Sequence, residues 1–394
     1  MEKFSVKSTP SIVLTADQIA GGLFLESSGK YKLLKGSAGT GKTTLIARQC
    51  NKDKDILMTA PTHKAVQVLS SKVVSECRTI HSYLKLERKL EGSKYVFVRD
   101  ETQELDQIKK LYVDEASMLD TRVLTYIIEA AEEYGFDVVF IGDEKQLNPV
   151  GEKNSPVFEL GIPEYELTEI LRHQNDIIDL SRNLHWLKEK RDGKHFKWCD
   201  PANMPIELLL ESNGTDKCKF ITWTNKIVDI VNREVRKQLY HEPGQFEIDE
   251  TILLKEQFGD LYKNNQEVVV ESIDESHVYF NKVNIPHKYI ETYVINEDLQ
   301  CMKLTEQIKH QQNLDNLLEK AKNHICSWKD FFNYKEQFCS YQYNSAITVH
   351  RSQGSTFETS IVNISEIMRN PNDVERARML YTGITRASEM NLFA

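Results

Sequence analysis

In the first half of the chain, short apolar runs alternate with segments whose apolar residues recur every three or four positions. Tyr31 to Lys35, Asp55 to Ala60, Leu111 to Val113 and Asp137 to Ile141 are such runs, with little of the two-residue alternation of a half-exposed strand. Between them, Ala65, Val66, Leu69 and Val73 share one helical face, as do Val123, Leu124, Ile127, Ile128 and Ala131, with Asp120 placed to cap the second helix. Apolar strands interleaved with helices predict a parallel sheet covered on both faces. The rhythm returns later. Phe220 to Trp223 reads as a strand, Asn225 to Leu239 as a helix, Ile347 to His350 and Ile361 to Ile364 as strands, Val374 to Thr382 as a helix and Asn391 to Phe393 as a closing strand.

Two segments break this rhythm. Residues 85–107 carry the strand-like Tyr95-Val96-Phe97-Val98 after Gly92-Ser93 and read as a projecting β-hairpin. Tyr95 and Phe97 fall on one face of it, either as a pin that parts a duplex or as packing against the parent domain. Residues 248–340 open with β-type runs at Thr251 to Leu254, Glu267 to Ile273, His277 to Phe280 and Tyr289 to Val294, as in a small barrel. A polar helix from Thr305 to Ile325 and an aromatic one with Trp328, Phe331 and Phe332 follow. Helical spacing favours core over a base-stacking platform for those rings. The fold class is α/β, with two parallel-sheet units, a hairpin insertion and a β-barrel insertion.

In such sheets chemistry gathers at the carboxyl ends of the strands. The first strand runs into Gly36-Ser37-Ala38-Gly39-Thr40-Gly41-Lys42-Thr43-Thr44, which fits the phosphate-binding pattern G-x-x-x-x-G-K-[ST]. Its glycines let backbone N–H groups wrap phosphates, Lys42 reaches the β- and γ-phosphates, and Thr43 offers a hydroxyl to Mg²⁺. A helix begins there, and its dipole favours an anion. The strand Leu111 to Val113 ends at Asp114-Glu115, where one carboxylate can hold Mg²⁺ and the other polarise an attacking water. The next ends at Gly142-Asp143-Glu144-Lys145-Gln146, placing the Gln146 amide where it can meet the γ-phosphate or that water.

Composition limits the alternatives. At 394 residues the chain is too long for one core. A net charge of −9 argues against a uniformly basic coat but leaves room for a local basic channel. Seven scattered cysteines without C-x-x-C spacing fit a reducing compartment, and no apolar run reaches membrane-spanning length. The expected setting is cytoplasmic, without a secretion signal or membrane.

The order of these motifs resembles superfamily 1 helicases of the RecD-like branch, and the chain is most similar to the Dda helicases of tailed phages. Leu14 to Gln18 matches the Q motif and Gly36 to Thr44 motif I. Ala60 to Ala65 matches motif Ia, Thr79 to Ser82 Ib, Asp114 to Ser117 II, Gly142 to Val150 III, Leu167 to Arg172 IV, Thr348 to Glu358 V and Tyr381 to Ala387 VI. Asn148 stands where this branch often has proline, and Arg351-Ser352 where Lys-Ala is common.

The resemblance implies two RecA-like motor domains, 1A at 1–84 and 108–173 and 2A at 174–247 and 341–394. The hairpin 1B would occupy 85–107 and an SH3-like 2B module 248–340. It implies ATP bound with Mg²⁺ between the motor domains, Gln18 reading adenine, and Gly36, Gly39, Thr40, Gly41, Lys42, Thr43, Thr44, Gly354 and Glu358 lining the nucleotide site. Lys42, Asp114, Glu115, Gln146, Arg172 and Arg386 would carry the chemistry. Arginine suits the last two places because its planar fork stays charged and binds phosphate bidentately. Pro61, Thr62, His63, His81, Thr224, Asn225, Thr348, His350 and Ser352 would touch single-stranded DNA through its backbone, without reading sequence. The implied protein is a monomer moving 5′ to 3′ and unwinding forked duplexes. It would sit in the host cytoplasm if phage-encoded, with a single-strand-binding or replisome protein as a candidate partner. The competing readings are a translocase that displaces proteins with little unwinding, a DNA clamp without turnover, and a metabolic P-loop NTPase.

Overall fold

A computed structural model describes residues 14–53, 55–91, 94–100, 102–149, 151–170, 192–199, 205–241, 246–254, 266–273, 278–281, 304–323, 325–335 and 341–394. Packing divides the chain into two compact units. One comprises the described residues of Met1–Pro61, Leu69–Glu144 and Asn148–Arg172; the other those of Thr62–Val68, Lys145–Leu147 and His173–Ala394.

The first unit is built on six parallel strands. In chain order they are β1 (Tyr31–Gly36), β2 (Ile56–Ala60), β3 (Cys77–Thr79), β6 (Lys110–Val113), β7 (Asp137–Gly142) and β8 (Glu164–Leu167). Between β3 and β6, β4 (Leu86–Glu91) and β5 (Lys94–Arg99) pair antiparallel as a separate ribbon. The spatial order is β3-β2-β6-β7-β1-β8. Leu33 of β1 lies opposite Phe140 of β7, and Val113 of β6 also pairs with Phe140. These side chains form one core with Val123, Leu124, Ile127 and Ala131 of the helix Thr121–Tyr134. Asp120 caps that helix by accepting from the Val123 N–H (2.8 Å). Intervening residues such as Leu34, Met58, Val139 and Ile141 are also buried, so the strands are apolar on both faces as their composition requires.

The second unit has a five-stranded parallel sheet. It contains β9 (Phe196–Trp198), β10 (Cys218–Thr222), β15 (Ala346–Thr348), β16 (Phe357–Val362) and β17 (Ala387–Phe393), ordered β15-β10-β16-β17-β9. One apolar cluster joins Ile221, Val349, Val362, Met379 and Phe393. Another joins Phe220, Val228, Val235, Ile361 and Leu392. Inserted between β10 and β15 is an antiparallel sheet, β13-β12-β11-β14, of β11 (Thr251–Leu254), β12 (Gln266–Ile273), β13 (Val278–Asn281) and β14 (Tyr341–Tyr343). Helices Leu304–Lys322 and Trp328–Lys335 follow β13. The fourth β-type run, Tyr289 to Val294, lies outside the described residues. Phe331 is buried and Trp328 meets it edge to face at 6.0 Å, which makes this pair part of a core. The Phe332 side chain lies outside the described residues.

Two buried cations secure the inserted sheet. Arg236 pairs with Glu250 and lies over the Tyr343 ring at 3.9 Å. Lys219, 1% exposed, donates its ammonium to the carbonyls of Gly214 and Asn344, and burial pushes its pKa down to about 8.

Candidate nucleotide site and nucleic-acid interface

The phosphate-loop sequence forms the turn its composition demands. Gly39 and Gly41 have φ of 85° and 79°, where glycine alone is comfortable. A Cβ on Gly36 would come within 2.7 Å of Thr40 Oγ1, so the first glycine is required by close approach. Thr40 closes the turn through its hydroxyl, which donates to Ser37 O (3.0 Å). Helix Lys42–Lys52 then starts from Gly41 without a side-chain cap. Its dipole and first-turn N–H groups thus face the loop. Lys42 Nζ donates to the carbonyls of Gly36 and Ser37, and Thr43 and Thr44 are half-buried beside it.

Gln18 is 2% exposed and joins this loop to the first helix, Ala16–Glu26. Its amide nitrogen donates to Thr40 O (3.3 Å), while its oxygen accepts from Thr15 N in a capping box. Asp17, beside it, accepts from the Thr168 and Glu169 N–H groups at 2.7 and 3.0 Å. That tie fixes the segment leading to Arg172, and no pattern in the sequence announced it. Arg172 itself lies outside the described residues.

Asp114 and Glu115 occupy the tip of β6. Burial raises the Asp114 pKa, while the Glu115 N–H and the Lys42 and Lys72 charges draw it down. The Glu115 N–H reaches Asp114 Oδ1 at 2.9 Å. Glu115 sits at φ 52°, ψ 41°, a left-handed conformation that costs a non-glycine residue on the order of 1 kcal/mol and is typical of functional turns. Among the described residues no three His, Cys, Asp or Glu side chains cluster as a metal cage. The hard oxygens of Thr43 and Asp114 fit Mg²⁺, which is commonly held by one or two protein ligands together with substrate phosphates.

Lys145–Leu147 pack with the second unit. Gln146 is 4% exposed, and its Oε1 is buried without a hydrogen-bond partner. Its backbone carbonyl accepts from Arg378 Nη1 (3.0 Å). A buried, unsatisfied amide oxygen is costly, which is consistent with a group reserved for a ligand. Arg386 is 5% exposed. Its guanidinium donates to Thr382 O (3.0 Å), Ser355 O (3.2 Å) and Thr385 Oγ1 (3.3 Å), so motif VI is tied to motif V. Gly354 adopts φ 73° in that stretch, and Glu358 is exposed.

The predicted DNA-facing residues divide by burial. In the first unit Pro61 is half-buried, and the His81 ring meets that of Phe97 at a tilt of 58°, with centroids 4.4 Å apart. Burial lowers the His81 pKa against the opposing charge of Asp120. The Phe97 ring thus lies against motif Ib, while the Tyr95 side chain lies outside the described residues. In the second unit His63 and Thr62 are half-buried, and Thr62 Oγ1 accepts from Ala65 N (3.2 Å). Asn225 is exposed and His350 half-buried, its pKa lowered by burial against Glu375. Thr348 is buried and accepts from Arg351 N (3.3 Å). Ser352 differs from the sequence expectation in being 0% exposed, and its hydroxyl donates to Val349 O (2.7 Å), so the side chain shapes the turn after β15. Thr224 is held by Glu366, a residue the sequence reading passed over.

Known proteins share these features. The AAA domain family matches residues 14–203 and the UvrD-like helicase C-terminal domain residues 344–390. The ATP-dependent DNA helicase dda of Enterobacteria phage T4 is 27% identical over 405 residues, spanning 90% of this chain and 92% of the relative. An uncharacterized protein, R530, of Acanthamoeba polyphaga mimivirus is 22% identical over 92% of this chain and 95% of its own length. The crystal structure of Pif1 helicase from Bacteroides with ADP-AlF3 and single-stranded DNA shares the fold at a TM-score of 0.59 and 16% identity, over 97% of this chain and 92% of that one. By its motifs, its two parallel-sheet units and its T4 relative, the chain is similar to superfamily 1 helicases of the Dda type, and it shares its fold with Pif1.

Proposed function

We propose that this protein is an ATP-dependent DNA helicase that moves 5′ to 3′ along single-stranded DNA and opens forked duplexes. The observation that carries this reading is the phosphate loop of β1 beside the strained Asp114-Glu115 tip of β6, in a chain that also holds motifs V and VI on a second parallel sheet. The T4 relative, whose name states an ATP-dependent DNA helicase, supports it. Lys42 would exchange its loop carbonyls for β- and γ-phosphate oxygens. Glu115 would take the proton of the attacking water, and Gln146 would orient that water. Arg386, with Arg172, would offset charge developing on the transferred phosphate. Mg²⁺, held by Thr43 and Asp114, would neutralise phosphate charge when bound. The DNA backbone would meet Pro61, Thr62, His63, His81, Thr224, Asn225, Thr348 and His350. The fourfold division into 1A, 1B, 2A and an SH3-like 2B, and action as a monomer, complete the proposal.

Polarity is tested with duplexes bearing only a 5′ or only a 3′ single-stranded tail. Unwinding from the 5′ tail and not the 3′ tail is expected; efficient unwinding from the 3′ tail alone would overturn the branch assignment and leave the ATPase reading standing. The contact of Phe97 with His81 favours a second reading, a translocase that strips proteins and separates strands poorly, because the ring is engaged within its own unit. Fast protein displacement with negligible unwinding of forked DNA would select it.

A further inference from the structure

Strand β10 ends at Thr222, and the helix Asn225–Tyr240 begins at once. The turn between them is held by one side chain from elsewhere in the second unit. Glu366, in the short helix Ile364–Ile367 after β16, is 6% exposed. Its Oε2 accepts from Thr222 Oγ1 (2.7 Å), Trp223 N (2.7 Å) and Thr224 N (3.3 Å), and its Oε1 from Thr224 Oγ1 (2.6 Å). Four donors fill the carboxylate's usual capacity. Glu366 is itself fixed, since its N–H donates to Asn363 Oδ1 (3.0 Å).

The arrangement departs from local rules. A threonine at the start of a helix ordinarily accepts from an N–H two or three residues on. Thr224 holds that position with extended backbone, φ −101° and ψ 147°, yet makes no side-chain cap. Its hydroxyl goes to the carboxylate, a charge-assisted bond about twice as strong as a neutral one. A carboxylate would ordinarily be unwelcome on a surface that meets a polyanion. Burial beneath the turn and the four donors remove that objection, and the outward polar side chain of the turn is that of the exposed Asn225.

We propose that Glu366 is a positioning residue for DNA binding, which preorganises the Trp223-Thr224-Asn225 turn in the geometry that meets the DNA backbone. This rests on the single-stranded DNA reading above. Without Glu366 the turn would have to be ordered at each binding event, and ordering residues at an interface weakens affinity.

The test is binding of a fluorescent oligothymidylate, measured by anisotropy across a salt series, for Glu366→Ala, Glu366→Gln and Thr224→Val. Glu366→Ala is expected to raise Kd about tenfold, the scale of ordering two residues. The log Kd against log salt slope should stay near the wild-type value, because the neutral Thr224 and Asn225 release no counterion. Glu366→Gln keeps an oxygen for the three donors on Oε2 and should recover most of the affinity. Adding Thr224→Val to Glu366→Ala should cost little more, because the pair acts as one unit. Folded Glu366→Ala protein with a wild-type Kd would overturn the proposal. If Glu366→Ala fails to fold, the combination of Glu366→Gln with Thr224→Val decides by Kd, with a wild-type Kd counting against the proposal. Wild-type protein that does not bind the oligonucleotide would overturn the DNA reading itself, a result distinct from indifference to Glu366.

Discussion

Lys42 and Arg386 are the two described cations proposed to meet the nucleotide, and they are built differently. Lys42 is half-buried at a helix start, and the carbonyls it holds, Gly36 and Ser37, lie in the same loop. Arg386 is almost fully buried, and one of its acceptors, Ser355 O, is 31 positions away. Both obey one rule, that a charge out of water needs partners. The difference lies in what moving them disturbs. Lys42 can exchange carbonyl for phosphate within one turn of chain. Arg386 can do so only by loosening a joint between motifs V and VI, so its chemistry and its unit's packing are linked.

The largest effect should come from Arg386→Lys, which keeps the charge and removes the planar fork. Turnover with DNA present should fall about 10³-fold, the lower end for a phosphate-facing arginine, with nucleotide-free DNA binding nearly kept. Near-normal turnover would reduce Arg386 to a structural joint and erase the comparison. Glu115→Gln, on the loop side, should cut turnover about 10²-fold and leave ATP binding intact, because the residue takes a proton and holds no phosphate. A normal hydrolysis rate in that variant would move the general base elsewhere.

A smaller effect concerns the ribbon of β4 and β5. Phe97→Ala should slow unwinding about tenfold, as the loss of one ring stacked on a base would, while DNA-stimulated ATPase holds. Because the Phe97 ring also packs against His81, parallel loss of both activities would assign the ring to packing. The smallest is a pH effect. Burial depresses the folded-state pKa of His81 and His350 below the ordinary 6.5. Neutral imidazoles therefore contribute stability fully above about pH 6.5, and that contribution is lost as pH falls through their folded values. Tm should drop between pH 7.5 and 5.5, and less so in His81→Gln. An equal drop in that variant would place the sensitivity on other groups.

Legibility tracked locality. The phosphate loop was readable because glycine spacing, the lysine and the helix start all lie within nine positions and depend on no distant residue. Strands β1, β2, β6 and β7 were readable because parallel strands covered on both faces must be apolar throughout. The burial of Ser352 was not legible because a hydroxyl looks the same in sequence whether it faces solvent or closes a turn. Gln18 and Asp17 were adjacent in one motif, yet their bonds to Thr40 and to Thr168 and Glu169 depend on how the first helix lies against β8 and the loop. Glu366, Lys219 and Arg236 gave no signal, since a charged residue in sequence is by default a surface residue.

The sequence alone determined the family, the two parallel sheets, the phosphate loop and the Asp114-Glu115 pair, because each is written in short-range pattern or in side-chain chemistry with few alternatives. Tertiary structure decided which polar groups are spent inside the protein and which are left to act. Thr224 goes to Glu366, Ser352 to its own turn and Arg386 to the joint of motifs V and VI, whereas Gln146 Oε1 is left unsatisfied. That choice is tertiary because burial makes an unpartnered polar group costly, and the partners are supplied by segments that meet only once the sheets have formed.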